Sequence, residues 1–152
     1  MNSIFNPDDF MNATTTEAND TTVTPVPPGE YRAQIEKIET REVNGRDGPR
    51  YVMDVTYSIL DDAVKAELGR DKLTVRQTIW LDVTSQGQID SGKGKNVGLG
   101  RLRQAAGFNV PGKPFALSML NGAVVKVTTG LRSSKDDPTT QYAEVKAVGE
   151  DR

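Results

Sequence analysis

Residues 73–83 read Leu73-Thr74-Val75-Arg76-Gln77-Thr78-Ile79-Trp80-Leu81-Asp82-Val83. Successive side chains of a strand point to opposite faces. Leu73, Val75, Gln77, Ile79, Leu81 and Val83 therefore share one face, and Thr74, Arg76, Thr78, Trp80 and Asp82 the other. The first face has the character of a core. The second is polar but carries the only Trp of the chain, two positions along that face from Arg76. Such a ring either packs over a small second cluster or serves as a platform for something flat, and both readings stay open here.

Four further strand patterns surround this one. Residues 30–43 alternate, with Tyr31, Ala33 and Ile35 on one face, and slip at Lys37-Ile38, which predicts a bulge. Residues 44–49 are dense in turn formers and predict a hairpin loop. Tyr51, Met53, Val55, Tyr57 and Ile59 share a face over residues 50–59. Residues 123–131 place Val125 and Val127 together, and 141–148 place Ala143, Val145 and Ala147 together. A short helix is predicted over residues 60–68, started by Asp61 and Asp62 and ended by Gly69. A second helix is predicted over 99–106, with Leu99, Leu102 and Ala106 inward and Gly107 at its end. Residues 84–98 read as a long Gly-rich loop, 115–120 as a single irregular or helical turn, and 132–140 as a polar loop. The order strand, strand, strand, helix, strand, strand, with an extra helix after the second strand, is that of an OB-fold. The predicted fold class is therefore mainly β, a five-stranded Greek-key barrel with an extended N-terminal tail.

Composition bounds the chemistry. At 152 residues, 36% of them hydrophobic, the chain is long enough for one core. It holds no Cys and no His, which removes disulfides, thiolate nucleophiles, Cys/His zinc sites and imidazole bases together. No long apolar run predicts a membrane span, and residues 1–20 lack the features of a secretory signal. Charge is segregated. Residues 1–30 hold Asp8, Asp9, Glu17, Asp20 and Glu30 with no Lys or Arg, although the whole chain is only −2. Residues 86–113 hold Lys93, Lys95, Arg101, Arg103 and Lys113 against Asp90 alone. Residues 1–24 thus read as an acidic Thr/Asn/Asp-rich tail, 25–149 as the barrel domain, and 150–152 as the chain end. Within the tail, Pro7, Asp8 and Asp9 suit a helix start, and Phe10 and Met11 are expected to pack on the body.

Gly87-Gln88-Ile89-Asp90-Ser91-Gly92-Lys93 fits G-x-x-x-x-G-K, but Gly94 follows where a phosphate loop needs Ser or Thr, and the helix begins late. Nucleotide hydrolysis is not expected. The segment is better read as a flexible basic finger, Gly92-Lys93-Gly94-Lys95-Asn96, able to follow a phosphate backbone. The carboxylate pairs Asp61/Asp62 and Asp136/Asp137 lie at a helix start and in a loop, and have no apolar site to separate their pKa values. No catalytic residue, metal site or cofactor is expected, and the chain is read as a non-enzyme. Surface recognition remains. The platform of such a barrel is strands two and three, flanked by the loops joining strands one–two and four–five. It would bring together Trp80, Arg76, Arg46, Arg50, Arg132, Lys126 and Tyr142, with Lys93, Lys95, Arg101 and Arg103 near the backbone path of a single strand.

Three segments carry a resemblance: Phe5-Asn6-Pro7-Asp8-Asp9-Phe10, Pro27-Pro28-Gly29-Glu30-Tyr31-Arg32-Ala33, and Gly92-Lys93-Gly94-Lys95-Asn96 followed by Leu99-Gly100-Arg101-Leu102. In these the chain resembles the single-stranded-DNA-binding-like proteins of bacteriophages, which are usually encoded among replication and recombination genes. The resemblance implies an OB-fold, sequence-tolerant binding of single-stranded DNA, no catalysis, and a place in the host cytoplasm. It also implies contacts with phage replication or recombination proteins and admits self-association. It departs from bacterial single-strand binders in placing the acidic segment at the N-terminus. Two other expectations stand beside it: a virion structural or assembly protein using the barrel as a docking module, and an inhibitor of a host protein.

Overall fold

The computed structural model describes residues 6–16, 18, 24–46, 48–136 and 140–151. Of the predicted tail, Met1 to Phe5, Glu17 and residues 19–23 lie outside these, as does Asp137 of the second carboxylate pair. The fold is mainly β. Strand β1 (Gly29–Gly45) is long enough to serve two neighbours. Residues Gly29 to Gln34 pair antiparallel with β4 (Val124–Ser133), and Ala33 to Gly45 with β2 (Gly48–Ile59). The register shifts between Ile35 and Lys37, where the alternation slips in the sequence. The extra residue bends β1 just past the end of its pairing with β4, while its pairing with β2 continues. Strand β3 (Thr74–Leu81) pairs with β2, and β5 (Gln141–Glu150) with β4. A parallel contact between Arg76 of β3 and Glu144 of β5 completes the ring β1-β2-β3-β5-β4. This five-stranded ring is compatible with an OB-like arrangement.

The alternation in the sequence becomes the inside and outside of that ring. Met53, Val55, Tyr57 and Ile59 of β2, Val75 and Ile79 of β3, and Val125 and Val127 of β4 are buried together. Gln77 lies on the same side of β3, and its amide oxygen accepts a 2.6 Å hydrogen bond from the Tyr57 hydroxyl. Each polar group thereby satisfies the other. Burial pushes the Tyr57 phenol well above its ordinary pKa. Helix α2 (Asp62–Leu68) follows its predicted signals. The Asp61 carboxylate accepts from the amides of Ala63 and Val64, and Gly69 ends the helix at φ 64. Helix α3 (Val97–Ala106) packs Leu99, Leu102 and Ala105 into the core. A 3-10 turn, Leu117–Leu120, buries Leu120. At the N-terminus, helix α1 (Pro7–Asn12) is capped by Asn6, whose side chain accepts from Asp8 and Asp9.

Four expectations are corrected. The loop predicted over residues 44–49 is shorter than expected, because Asn44 pairs with Pro49 and Gly45 with Gly48, which takes φ 120. Ala147 does not join Ala143 and Val145. A shift in the β4–β5 register puts Val148 against the core instead. On α3 the expected Ala106 packs half-buried against the core, and Ala105 beside it is buried as well. Helix α1 buries none of its residues, and Phe10 and Met11, expected to pack on the body, are 67% and 82% exposed. The Gly-rich segment 84–96 is knotted down by Asn96.

That residue is buried at φ 52 and makes a closed set of bonds. Its amide nitrogen donates to the carbonyls of Asp82 and Asp90, both at 2.8 Å. Its side-chain oxygen accepts from the Asp82 amide at 2.7 Å, and its own backbone N–H donates to the Asp82 carboxylate at 2.8 Å. Asn is among the few residues that tolerate a left-handed backbone. Asn96→Ala removes three side-chain bonds and leaves buried backbone groups unpaired. It is expected to cost about 2–3 kcal/mol, read as a lower urea midpoint. Asn96→Gly, which accepts the positive φ, should recover only the backbone part of that loss.

Candidate functional site

The outward face of β3 carries Thr74, Arg76, Thr78 and Trp80, all exposed. Arg76, Thr78 and Trp80 line a broad open groove of about 1540 Å³. Arg132 from the end of β4 and residues 140–145, which lead into β5, line it as well. Thr24, Pro25, Val26 and Arg70 complete the lining, together with Arg41 and Asp54 from β1 and β2. The groove exists because β3 and β5 pair only at Arg76 and Glu144. Leu73, Val75 and Val145 therefore give it an apolar lining, while arginines and threonines give it a polar one.

Trp80 is 49% exposed. Its cross-strand partner on β2 is Val52, which points away from the core and is nevertheless fully buried. The guanidinium carbon of Arg50 lies 4.3 Å from the Trp80 ring centroid. Trp80 thus stands opposite a buried side chain and keeps an exposed aromatic surface beside the groove.

A polar network runs across the three strands beside it. Arg41 Nε donates to Asp54 Oδ2 at 2.7 Å, and Thr78 Oγ1 donates to Asp54 Oδ1 at 2.8 Å. The hydrogen bond from Arg41 holds the Asp54 carboxyl below its ordinary pKa, against an opposing push from burial and with help from Thr78 and the nearby charges of Arg41 and Arg76. Arg132 Nε stands 3.9 Å from Glu144 Oε2, a loose, exposed pair worth little in stability. Arg70 donates to the Thr24 carbonyl, and Val26 is buried in the core two residues later. Residues 24–26 are thereby fixed to the body at the groove.

Of the residues named from the sequence, the groove collects Trp80, Arg76, Arg132 and Tyr142, and Arg50 lies over Trp80. Arg46 sits at the β1–β2 turn. Lys93 and Lys95 are exposed on the segment pinned by Asn96, outside the groove lining. Lys126 lies on β4 between Arg32 and Gly149, also outside that lining. Arg101 borders a small recess between α3 and β5, with Glu150 on its rim. Arg103 is a packing residue. Its guanidinium lies 4.1 Å from the Phe115 centroid and donates to the Phe108 carbonyl at 3.1 Å. Sequence reading missed Arg41, Asp54 and Arg70. The period of two places Asp54 outward with Val52, whereas Arg41 requires the bulge in β1 to be located first. Arg70 carries no local signal, because its partner Thr24 is distant in the chain.

No group of three or more metal-ligating side chains occurs among the described residues. No helix among them is long and apolar enough to cross a membrane. No family model and no curated protein matches this chain.

The Asp54 network makes a pH prediction. Its folded pKa is depressed, so its contribution to stability is present above the ordinary carboxylate value near pH 4 and is lost as pH falls through the lower folded value. Asp54→Asn is expected to flatten the acid limb of the stability curve below about pH 4 while leaving the slope near neutrality unchanged. Thermal midpoints measured from pH 2 to pH 7 check this.

Proposed function

We propose that this protein binds single-stranded DNA, without strong sequence preference, in the groove beside β3. The observation that carries the reading is a half-exposed Trp80 on an otherwise polar strand face, within a wide groove that also presents Arg76, Arg132 and the exposed Tyr142. Single strands bind where aromatic faces take unpaired bases and cations follow the backbone. Trp80 and Tyr142 supply the first, Arg76 and Arg132 the second. The ring order and the parallel β3–β5 contact are compatible with an OB-like fold and support this reading, since the ligand face of an OB-fold is strands two and three with the flanking loops. On this reading the groove occupies that face. The resemblance to phage single-strand binders points to a role in phage DNA replication or recombination in the host cytoplasm.

Two mutations separate binding from packing. Trp80→Ala is expected to weaken binding of oligo(dT) by about 1–3 kcal/mol, roughly 5- to 150-fold, the worth of one base stack. Fluorescence anisotropy of a labelled oligonucleotide reads this, and a melting temperature lowered without loss of affinity would assign Trp80 to packing alone. Arg76→Ala should weaken binding and make the log–log dependence on salt shallower by about 0.7, one phosphate contact on a single strand. Arg103→Ala should lower the melting temperature and leave the salt slope unchanged. Equal effects of the two arginines on affinity would remove the groove from the model of binding.

A further inference from the structure

The position of Arg50 gives the site a second property, which rests on the single-strand reading. Arg50 lies on β2, on the outward side with Val52 and Asp54. Its aliphatic stem runs against Gly45, where an added Cβ would come within 3.1 Å of Arg50 Cδ. Its guanidinium then reaches Trp80, 4.3 Å from the ring centroid. At that distance the guanidinium is in contact with the ring, and nothing flat fits between them. One face of the only Trp is therefore already taken. Opposite Trp80 across the strand pair stands Val52, which is fully buried.

We propose that Arg50 occupies the stacking place on Trp80 in the free protein, and that an incoming base displaces it onto the phosphate beside that base. Both groups gain from the exchange. A base stacked on Trp outweighs an exposed cation–π contact, and a guanidinium meets a phosphate in a charge-assisted, bidentate geometry. The exchange requires a partner that offers an unpaired base and a phosphate together. A duplex offers phosphates but keeps its bases stacked inside, so it leaves Arg50 on the ring. Arg50 is thus a selectivity residue: it makes occupation of Trp80 conditional on exposed bases.

The test uses the full chain and three end-labelled probes of equal length: oligo(dT), an abasic strand with the same phosphates, and duplex DNA. Anisotropy reports binding, and Trp80 emission reports stacking. Oligo(dT) is expected to bind and quench Trp80. The abasic strand and the duplex should bind more weakly and leave the emission unchanged. Arg50→Ala should keep the quenching by oligo(dT) but make its salt slope shallower by about 0.7. Arg50→Gln, which retains the stem over Gly45 without the charge, should do the same and guards against a folding defect in the first variant. Oligo(dT) binding without quenching, quenching by the abasic strand, or an unchanged salt slope in both variants overturns the exchange while leaving single-strand binding in place. No anisotropy change with oligo(dT) overturns the single-strand reading itself.

Discussion

Arg76 and Glu144 are the one residue pair through which β3 and β5 are joined. Every other junction in the ring runs over six or more residue pairs. The sheet is therefore closed in topology yet parted along one seam. Antiparallel pairing holds β3 firmly to β2, so the outward side chains of β3 have fixed positions even though its other edge is mostly unpaired. A full β3–β5 ladder would close the seam over Leu73, Val75 and Val145. The groove is what remains when that ladder is reduced to a single contact.

The rest of the molecule supports the two lips of this seam. On one side, Tyr57 and Gln77 tie β2 to β3 from within, and Asp54 ties β1, β2 and β3 together from outside through Arg41 and Thr78. On the other side, β4 holds β5 along nearly its whole length, and α3 packs against β5 from beyond the barrel. Asn96 fixes the path from β3 into α3 by binding Asp82 and Asp90. The polar groups that rigidify the site are thus mostly internal pairs. The groups left facing the groove are the ones with chemistry to offer a ligand.

Much of this was legible in the sequence, and the legible part shares a cause. Alternation along residues 73–81, the Asp61 and Gly69 caps of α2 and the slip near Lys37 are local signals, each fixed by a few neighbouring residues. Trp80 stood out because a large aromatic on a polar strand face has no local explanation. What was missed depends on distant partners. Asn96 acts through Asp82, fourteen residues away, so the Gly-rich composition around it suggested looseness instead. Arg103 reads as a surface cation until Phe108 and Phe115 fold beneath it. The Gly45–Gly48 pairing overrides the turn-like composition of residues 44–49, because β2 continues to offer β1 a partner. The inward place of Val148 depends on register between two strands, which neither strand carries alone.

The long β1 has a bearing on solubility. Its pairing with β4 ends at Gln34, and the Gly122–Ala123 turn covers only Ile35 beyond that. Among the described residues, β1 from Glu36 onward has β2 on one side and no strand on the other, an edge that is a natural template for another chain. Glu36, Lys37, Glu39, Arg41 and Glu42 fall within this stretch, and all but Glu42 are engaged in ion pairs. A foreign strand adding there would have to strip water from charges of both signs. The extended hairpin that helps build the groove is in this way kept from recruiting its neighbours into a continuous sheet.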